Sequence, residues 1–224
     1  MAELAAARYA RLSDALVRAI DAGESGEAVE RRMWKTCFEG PVAAARACRG
    51  ASPRGNRKAR RILGRVARAY EALLARVADR AGGGDAAYRC LLRLGDARRY
   101  AGDGARAAAY YERAAAVAPD RGEALNALGA LAQRESRLVA AAARYAAAAE
   151  APRPFAAAER NLAAALRLLA KRPPAHAGLA AAVLLLGRAA AGEVPTAAHA
   201  DLRRRLGKPA RAECDALFAH LRPP

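Results

Sequence analysis

The 224-residue sequence predicts an all-α protein built as an antiparallel helical array, and three observations support this prediction. Alanine dominates an apolar fraction of 54%, and alanine has the highest helix propensity of all residues. Apolar residues recur at helical spacing, whereas β-branched runs are few and alternating strand patterns are absent. Aromatic residues make up only 5%, so the side chains available for a core are small.

The N-terminal third predicts three helices. "MAELAAARYARLSDALVRAID" indicates an amphipathic helix over residues 3–21, and Ser25 is a candidate N-cap for the next helix. The second helix contains "MWKTCFEGPVAAARA", where Pro41 removes a backbone hydrogen bond and predicts a kink or an early stop. After a loop at "GASPRGN", a third helix is expected over residues 58–80. "GGGD" then forms a joint, with Asp85 as a candidate N-cap.

An internal repeat with a period of about 34 residues follows this joint. Its two units cover residues 88–121 and 122–155, and each has Leu, Gly, Ala, an aromatic residue and Ala at the same positions. The first unit also ends in Pro119. These are the positions that a tetratricopeptide repeat fills with the same residue types, and the small residues let the paired helices approach closely. The predicted packing residues are Leu94, Gly95, Ala107, Tyr111 and Ala114, then Leu128, Gly129, Ala141, Tyr145 and Ala148.

The remaining sequence suggests how the array ends. "PFAAAERNLAAALRLLA" indicates a further helix that caps the repeats. We therefore expect one helical domain over residues 1–172. Residues 173–224 predict a short C-terminal helical extension, which we interpret as the remnant of a longer helical region.

The charge balance favours acidic partners. There are 39 Lys and Arg residues against 22 Asp and Glu residues, a net charge of +17, which suits phosphorylated peptides, RNA or anionic surfaces. Arginine outnumbers lysine while alanine and glycine abound, which a GC-rich coding sequence also produces. For most single arginines a solvated helix face is therefore an equal interpretation. The densest basic segment is "RGNRKARR", residues 54–61, where no aromatic residues interleave to stack bases, so we favour a solvated helix start there.

Several classes of protein are not indicated. The four cysteines and three histidines are dispersed, without CxxC pairs, so we expect no metal and no cofactor. The cysteines are expected to be small buried hydrophobic groups in a reducing compartment. No nucleophile or carboxylate constellation suggests an enzyme. The N-terminus lacks a signal-peptide core, and "LAAAVLLLG" is too short to span a bilayer, so we expect a soluble intracellular protein.

The repeat phase separates residues that face a groove from residues that face a packing seam. Positions 2, 5, 9 and 12 of the first helix of a repeat line its concave surface, which places Arg99 and Asn126 in the groove, with Arg134 nearby. An asparagine there suits the backbone of an extended peptide. Arg98 is expected near the packing seam with its stem buried. The alternative for Arg99 is an ion pair with Asp96, three residues earlier on the same helix face.

Several segments together resemble one known family. They are "CLLRLGDARRY", "YYERA", "PDRGEALNALGALA" and "PFAAAERNLAAAL", preceded by "MWKTCFEGPVAAARA" and "NRKARRILGRVARAYEALL". They are similar to the N-terminal domain shared by the nonsense-mediated mRNA decay adaptors and the telomerase-associated Ever-Shorter-Telomeres proteins, over residues 29–166. The resemblance implies a 14-3-3-like domain with two central tetratricopeptide repeats. It implies a concave groove that binds phosphoserine peptides and a location in cytoplasm and nucleus.

The resemblance also implies particular binding residues. The family's phosphate-binding arginine matches Arg99, with Tyr100 beside it. The family's phosphate-binding lysine corresponds to Glu39, so we expect a weakened site in which this carboxylate also competes for the arginine. Lys35, one turn before, and Arg46, about two turns after, are candidate substitutes. The predicted phosphopeptide-binding set is Arg99, Tyr100, Asn126, Lys35 and Arg134.

The function expected from these observations is that of a non-catalytic phosphopeptide-binding adaptor. In the decay adaptors the partner is the phosphorylated RNA helicase of that pathway, and the resemblance implies the same partner here. One alternative is a telomerase-associated protein that binds RNA or telomeric DNA. Another is a tetratricopeptide scaffold for unmodified peptides. The resemblance also allows weak binding of RNA or telomerase RNA, and a homodimer or a heterodimer with a related adaptor. No membrane partner is expected.

Overall fold

The structure, a computed structural model, describes residues 2–24, 26–50 and 52–170, and its regular elements there are helical. The all-α prediction is therefore confirmed. The chain divides into two compact units, the first ending at Ala118 and the second beginning at Pro119. The helices are α1 (Ala2–Asp21), α2 (Glu27–Met33), α3 (Glu39–Cys48), α4 (Pro53–Val77), α5 (Gly84–Ala101), α6 (Gly104–Val117), α7 (Gly122–Arg134), α8 (Leu138–Glu150) and α9 (Ala158–Ala170). Ser25 and the predicted extension over residues 173–224 lie outside the described residues.

Helix α4 is the central element of the first unit, because it packs against α1, α3 and α5, while α6 packs against α5. One face of α4 is buried along its whole length by residues at helical spacing. These residues are Ala59, Leu63, Val66, Ala67, Tyr70, Leu73, Leu74 and Val77. The opposite face of α4 is solvent-exposed.

Two helices begin at different residues than expected. Helix α4 starts at Pro53, before the predicted residue 58, because Ser52 is an N-cap whose hydroxyl oxygen accepts a hydrogen bond from the Gly55 amide at 3.0 Å. Proline suits the first helical position, since its missing N–H has no partner there anyway. The prediction of Asp85 as an N-cap is wrong: α5 begins at Gly84, so the aspartate lies in the first turn, where it still complements the helix dipole.

The predicted interruption around Pro41 is present, but it lies before the proline. A five-residue π-helical turn, Trp34–Phe38, separates α2 from α3. The Glu39 amide donates to the Trp34 carbonyl five residues earlier, and Pro41 follows two residues later in the first turn of α3. The chain remains helical through this region, so the proline does not end the helix.

The second unit is built from α7, α8 and α9, with α8 packed against both of its neighbours. A short backbone pairing fixes its start: the Gly122 amide donates to the Arg153 carbonyl at 3.0 Å, and the Arg153 amide donates to the Asp120 carbonyl at 2.8 Å. A Cβ atom on Gly122 would lie 2.2 Å from the Ala148 carbonyl oxygen, so this close approach requires glycine.

Both repeats have the packing that their phase predicts. The first repeat consists of α5 and α6, and the second of α7 and α8. A Cβ on Gly95 would lie 2.3 Å from the ring of Tyr111, and a Cβ on Gly129 would lie 2.7 Å from the ring of Tyr145. The remaining predicted residues are also buried, namely Leu94, Ala107, Ala114, Leu128, Ala141 and Ala148. The packing that the repeat phase predicts is therefore present in both helix pairs.

The cysteines differ more than expected. Cys90 is fully buried, and burial raises the pKa of its thiol to well above the usual range. Cys37 and Cys48 are only half-buried, so the expectation of burial is wrong for these two. Cys37 lies in the π-helical turn and Cys48 at the last residue of α3, where fewer neighbours cover a side chain. Cys214 lies outside the described residues.

Candidate functional site

The guanidinium of Arg99 is held by three groups on α5 and α6. Its Nη2 donates to the Asp96 carboxylate at 2.8 Å and to the Tyr100 hydroxyl at 3.1 Å. Its Nε donates to the Tyr111 hydroxyl at 3.1 Å, and that hydroxyl donates onward to Asp96 at 2.7 Å. The ion pair within α5 that was the alternative interpretation of Arg99 is therefore present. The expected competition from Glu39 is not seen, because the carboxylate that reaches the guanidinium is Asp96.

The charges in this cluster are fixed by its surroundings. Burial alone would disfavour a charged guanidinium, but Tyr111 and Asp96 outweigh it and raise the pKa of Arg99 above its usual range. Burial, and then the charge of Asp96, raise the pKa of Tyr111 well above its ordinary value. Arg99 is therefore a permanent cation, and the neutral phenol of Tyr111 accepts a hydrogen bond from it. Nη1 of the guanidinium bonds to no group in the described part of the chain.

Two arginines from different helices meet at the ring of Tyr100. The guanidinium carbon of Arg99 lies 4.5 Å from the ring centroid, and that of Arg46, from α3, lies 4.8 Å away. Arg46 is exposed, and no carboxylate among the described residues pairs with it. Arg49, one turn further along, donates from Nη1 to the Arg99 carbonyl at 3.4 Å. Two arginines thus stack on one tyrosine and a third bonds to the backbone beside it. We call Arg46, Arg49, Arg99 and Tyr100 the arginine cluster.

Arg98 has a structural role, as its position in the repeat predicts. Its Nη2 pairs with Glu71 of α4 at 2.8 Å, and its side chain is 23% exposed. Glu71 also accepts a hydrogen bond from the Tyr110 hydroxyl at 3.0 Å. The residue therefore fastens α5 to α4, and it differs from its neighbour Arg99 in facing a packing seam.

Lys35 and Glu39 lie in a different local setting from the arginine cluster. Lys35 belongs to the π-helical turn and Glu39 is the first residue of α3, and both side chains are exposed. A carboxylate at the first turn of a helix is favourable with the helix dipole, which gives Glu39 a local reason to be acidic. The residue that meets Tyr100 is Arg46, near the other end of the same helix.

Sequence reasoning missed a buried charged cluster that fixes the π-helical turn. Glu30 is 1% exposed and accepts hydrogen bonds from the Tyr70 hydroxyl at 3.0 Å and from Arg93 Nε at 3.2 Å. The guanidinium of Arg93 also stacks over Trp34 at 3.9 Å from the ring centroid. Burial, and then the charge of Glu30, raise the pKa of Tyr70 well above its usual range. The sequence carried a signal for this burial, because Glu30 directly follows the apolar Val29 and lies three residues before the apolar Met33.

In the second unit, Asn126 is half-buried and Arg134 is exposed at the end of α7. The Asn126 side-chain oxygen accepts a hydrogen bond from the Asn161 side-chain amide of α9 at 2.8 Å. This bond leaves the Asn126 amide group as a donor and the Asn161 side-chain oxygen as an acceptor. The two asparagines come from the two segments "EALNALGALA" and "AERNLAAAL" that carried the family resemblance.

A sequence profile of the Est1 DNA/RNA binding domain matches residues 107–173. The match covers fewer than a third of the 224 residues, and in this segment the chain is similar to the Est1 family. No curated protein shows a matching sequence. Among the described residues no helix is long and apolar enough to cross a membrane.

Two solved structures are similar to this chain. The structure of the C. elegans SMG5–SMG7 complex matches with a TM-score of 0.63 and 15% identity, covering 100% of this chain and 66% of that chain. The crystal structure of Est1 and Cdc13 matches with a TM-score of 0.58 and 11% identity, covering 93% of this chain and 53% of that chain. At these identities the likeness shows the fold. The chain thus spans about half to two thirds of the length of the proteins it matches.

Proposed function

We propose that this protein is a non-catalytic adaptor that binds phosphoserine peptides through the arginine cluster. The observation that carries the proposal is the meeting of Arg46 and Arg99 over one tyrosine ring. Two guanidinium groups from separate helices can form charge-assisted hydrogen bonds to one phosphate group, whose oxygens suit their planar geometry. Tyr100 orients both, since each stacks on its ring.

The electrostatics of the cluster favour a dianion. Of its three arginines only Arg99 forms an ion pair within the described residues, with Asp96, so the cluster keeps a net positive charge without a ligand. Arg46 supplies the second cation that the family pattern assigns to the position of Glu39. Lys35 remains a candidate for a further contact with the ligand, since its side chain is exposed in the π-helical turn that precedes α3.

The second unit offers groups that suit the backbone of a peptide. The donor left on Asn126 and the acceptor left on Asn161 are complementary to one peptide group, which has one acceptor and one donor. Arg134, exposed at the end of the same helix, suits an acidic side chain of the ligand. We propose these as peptide contacts of the second unit.

Family resemblance supplies the biological setting of this proposal. In the decay adaptors the ligand is the phosphorylated RNA helicase of nonsense-mediated decay, and we propose the same partner here, in cytoplasm and nucleus. The similarity to Est1 keeps a telomerase-associated role as the alternative. The two settings predict different partners for the same domain, and co-purification followed by mass spectrometry separates them.

The test is a titration of a phosphoserine peptide and its unmodified twin, followed by fluorescence polarisation. Arg99→Gln and Arg46→Gln should each reduce phosphopeptide affinity by about tenfold or more, because each removes a charge-assisted bond to phosphate. Glu39→Lys should tighten binding by about tenfold, since it restores the cation that the family pattern has at this position. Asn126→Ala should weaken both peptides equally. Arg31→Gln is the matched control, since this exposed arginine pairs with Glu27 on α2.

One outcome contradicts the proposal outright, and another limits it. If wild type cannot distinguish the twin peptides and Glu39→Lys does not restore the distinction, the arginine cluster is not a phosphate site. If Glu39→Lys alone distinguishes them, the fold has been retained while the phosphate function has been lost.

A further inference from the structure

Six basic residues form one continuous stripe on the exposed face of α4. They are Arg54, Arg57, Lys58, Arg61, Arg65 and Arg68, and all six are exposed. At 3.6 residues per turn they fall within about 100° of arc, opposite the buried face of the helix. From first to last the stripe extends about 21 Å, at 1.5 Å per residue. We call these six residues the α4 stripe.

The charges of the α4 stripe are not neutralised. Helix α4 has eight basic residues against one acidic residue, Glu71, which pairs with Arg98 instead. No member of the stripe forms an ion pair within the described part of the chain, whereas Arg76, further along the same helix, pairs with Asp14 at 2.8 Å. Unpaired cations at neighbouring positions repel one another, so the stripe lowers stability unless an anion covers it.

The shape of the α4 stripe also indicates a ligand-facing surface. Five of its members, with Ile62, surround an open space of about 440 Å³ between their side chains. The N-terminal half of the helix dipole adds positive potential at the same end. This end is held in place, since the Asn56 side-chain oxygen accepts a hydrogen bond from the Gly50 amide at 2.9 Å. Ser52 caps the first turn as well.

We propose that the α4 stripe binds the phosphate backbone of base-paired nucleic acid without reading its sequence. Arginines spaced by one helical turn suit a row of phosphates. The single aromatic residue of α4, Tyr70, is buried on the other face, so the stripe offers no platform for stacking unpaired bases. A duplex has the higher charge density, which charge-only binding favours. The stripe lies outside residues 107–173, which match the nucleic-acid-binding profile, and apart from the arginine cluster.

The test compares two triple variants that lower the net charge equally. Arg54→Gln/Arg61→Gln/Arg65→Gln removes half of the stripe, and Arg11→Gln/Arg18→Gln/Arg32→Gln removes three exposed arginines from α1 and α2. Binding of a short RNA duplex, and of one of its strands alone, is measured by fluorescence polarisation between about 50 and 200 mM salt. Circular dichroism confirms that both variants fold.

The stripe variant should bind the duplex about tenfold or more weakly, and its log–log salt slope should fall by about 0.9 for each phosphate that the variant no longer neutralises. The control variant should stay within about twofold of wild type, and the single strand should bind more weakly than the duplex. Equal weakening by both variants would mean that only total charge matters and would overturn the proposal. So would tighter binding of the single strand, or stripe-dependent binding of anionic lipid vesicles that exceeds binding of the duplex. Phosphoserine-peptide binding should be unchanged in the stripe variant, which keeps this proposal separate from the adaptor function.

Discussion

The two repeats have the same contact at their centres and different polar groups around it. In both, a glycine on the first helix allows the ring of a tyrosine on the second helix to lie against the backbone. In the first repeat the Tyr111 hydroxyl bonds to Asp96 and Arg99, a charged pair. In the second repeat the Tyr145 hydroxyl donates to Gln133, a neutral amide, at 3.1 Å.

This difference separates packing from function. The glycine and the tyrosine hold the two helices together in either repeat, and in the second repeat the phenol donates to a neutral amide. The second repeat thus keeps this packing with Ala130 and Gln133 in place of the charged pair. The charged pair of the first repeat places a fixed cation beside Tyr100, where Arg46 meets it. The polar positions of a repeat can thus change while its glycine and tyrosine stay, and this gives the first repeat its candidate site.

The largest expected effect comes from breaking the shared contact. Gly95→Leu and Gly129→Leu should each overpack their helix pair and destabilise the protein by about 1–3 kcal/mol. The destabilisation should be greater for Gly95, because an added Cβ would lie 2.3 Å from the tyrosine ring, against 2.7 Å for Gly129. Chemical denaturation measures both. Gly40→Leu is the control, since a Cβ there meets nothing within 4 Å. A Gly95 variant as stable as wild type would contradict the contact.

The sequence predicts the repeats well because their contacts are local. Gly95 and Tyr111 are 16 residues apart within one repeated unit, and Gly129 and Tyr145 repeat the same spacing. The start of α4 also has a local signal in Ser52-Pro53, a recognisable N-cap and first helical position. The π-helical turn carries no comparable local signature, because it depends on packing of Trp34 and Phe38 against Tyr70 of a later helix.

The candidate site is predicted only in part, for the same reason. The repeat phase separates Arg99 from Arg98 correctly, because both lie on one helix of known periodicity. The partner Arg46 is 53 residues before Arg99, and its meeting with Tyr100 depends on how α3 packs in the first unit. The pair of Glu30 and Arg93, 63 residues apart, is invisible for the same reason. Sequence periodicity gives the face of a residue, whereas its partner on another helix requires the fold.

A smaller expected effect is the pH dependence of stability, to which the tyrosine of the first repeat contributes. Burial raises the pKa of Tyr111 above its ordinary value of about 10, so the folded state keeps a proton that the unfolded state loses. Stability should therefore fall as pH rises beyond about 10, by about 1.4 kcal/mol per pH unit for each such tyrosine. Tyr70, with a pKa raised by burial and Glu30, adds a second equal contribution.

Urea denaturation between pH 8 and 11 would measure this fall. Tyr111→Phe should make the decline shallower by one tyrosine, about 1.4 kcal/mol per pH unit, although the variant is less stable at neutral pH because Asp96 and Arg99 lose a partner. Tyr70 and Tyr111 should ionise only on unfolding, which ultraviolet absorbance records. A decline of the same steepness in the variant would show that Tyr111 does not resist ionisation.

The smallest expected effect comes from converting the polar positions of the first repeat into those of the second. Asp96→Ala with Arg99→Gln reproduces Ala130 and Gln133 in the equivalent positions. The new glutamine should accept a hydrogen bond from the Tyr111 hydroxyl, as Gln133 accepts one from the Tyr145 hydroxyl. The double variant should therefore be destabilised by less than about 1 kcal/mol. Asp96→Ala alone should cost more, about 1–3 kcal/mol, because it removes the carboxylate from a guanidinium that is 28% exposed. A double-mutant cycle would therefore show strong coupling, and the stable double variant should no longer prefer a phosphoserine peptide. Additive destabilisation would mean that the charged pair is needed for packing, and the separation of packing from function in the two repeats would fail.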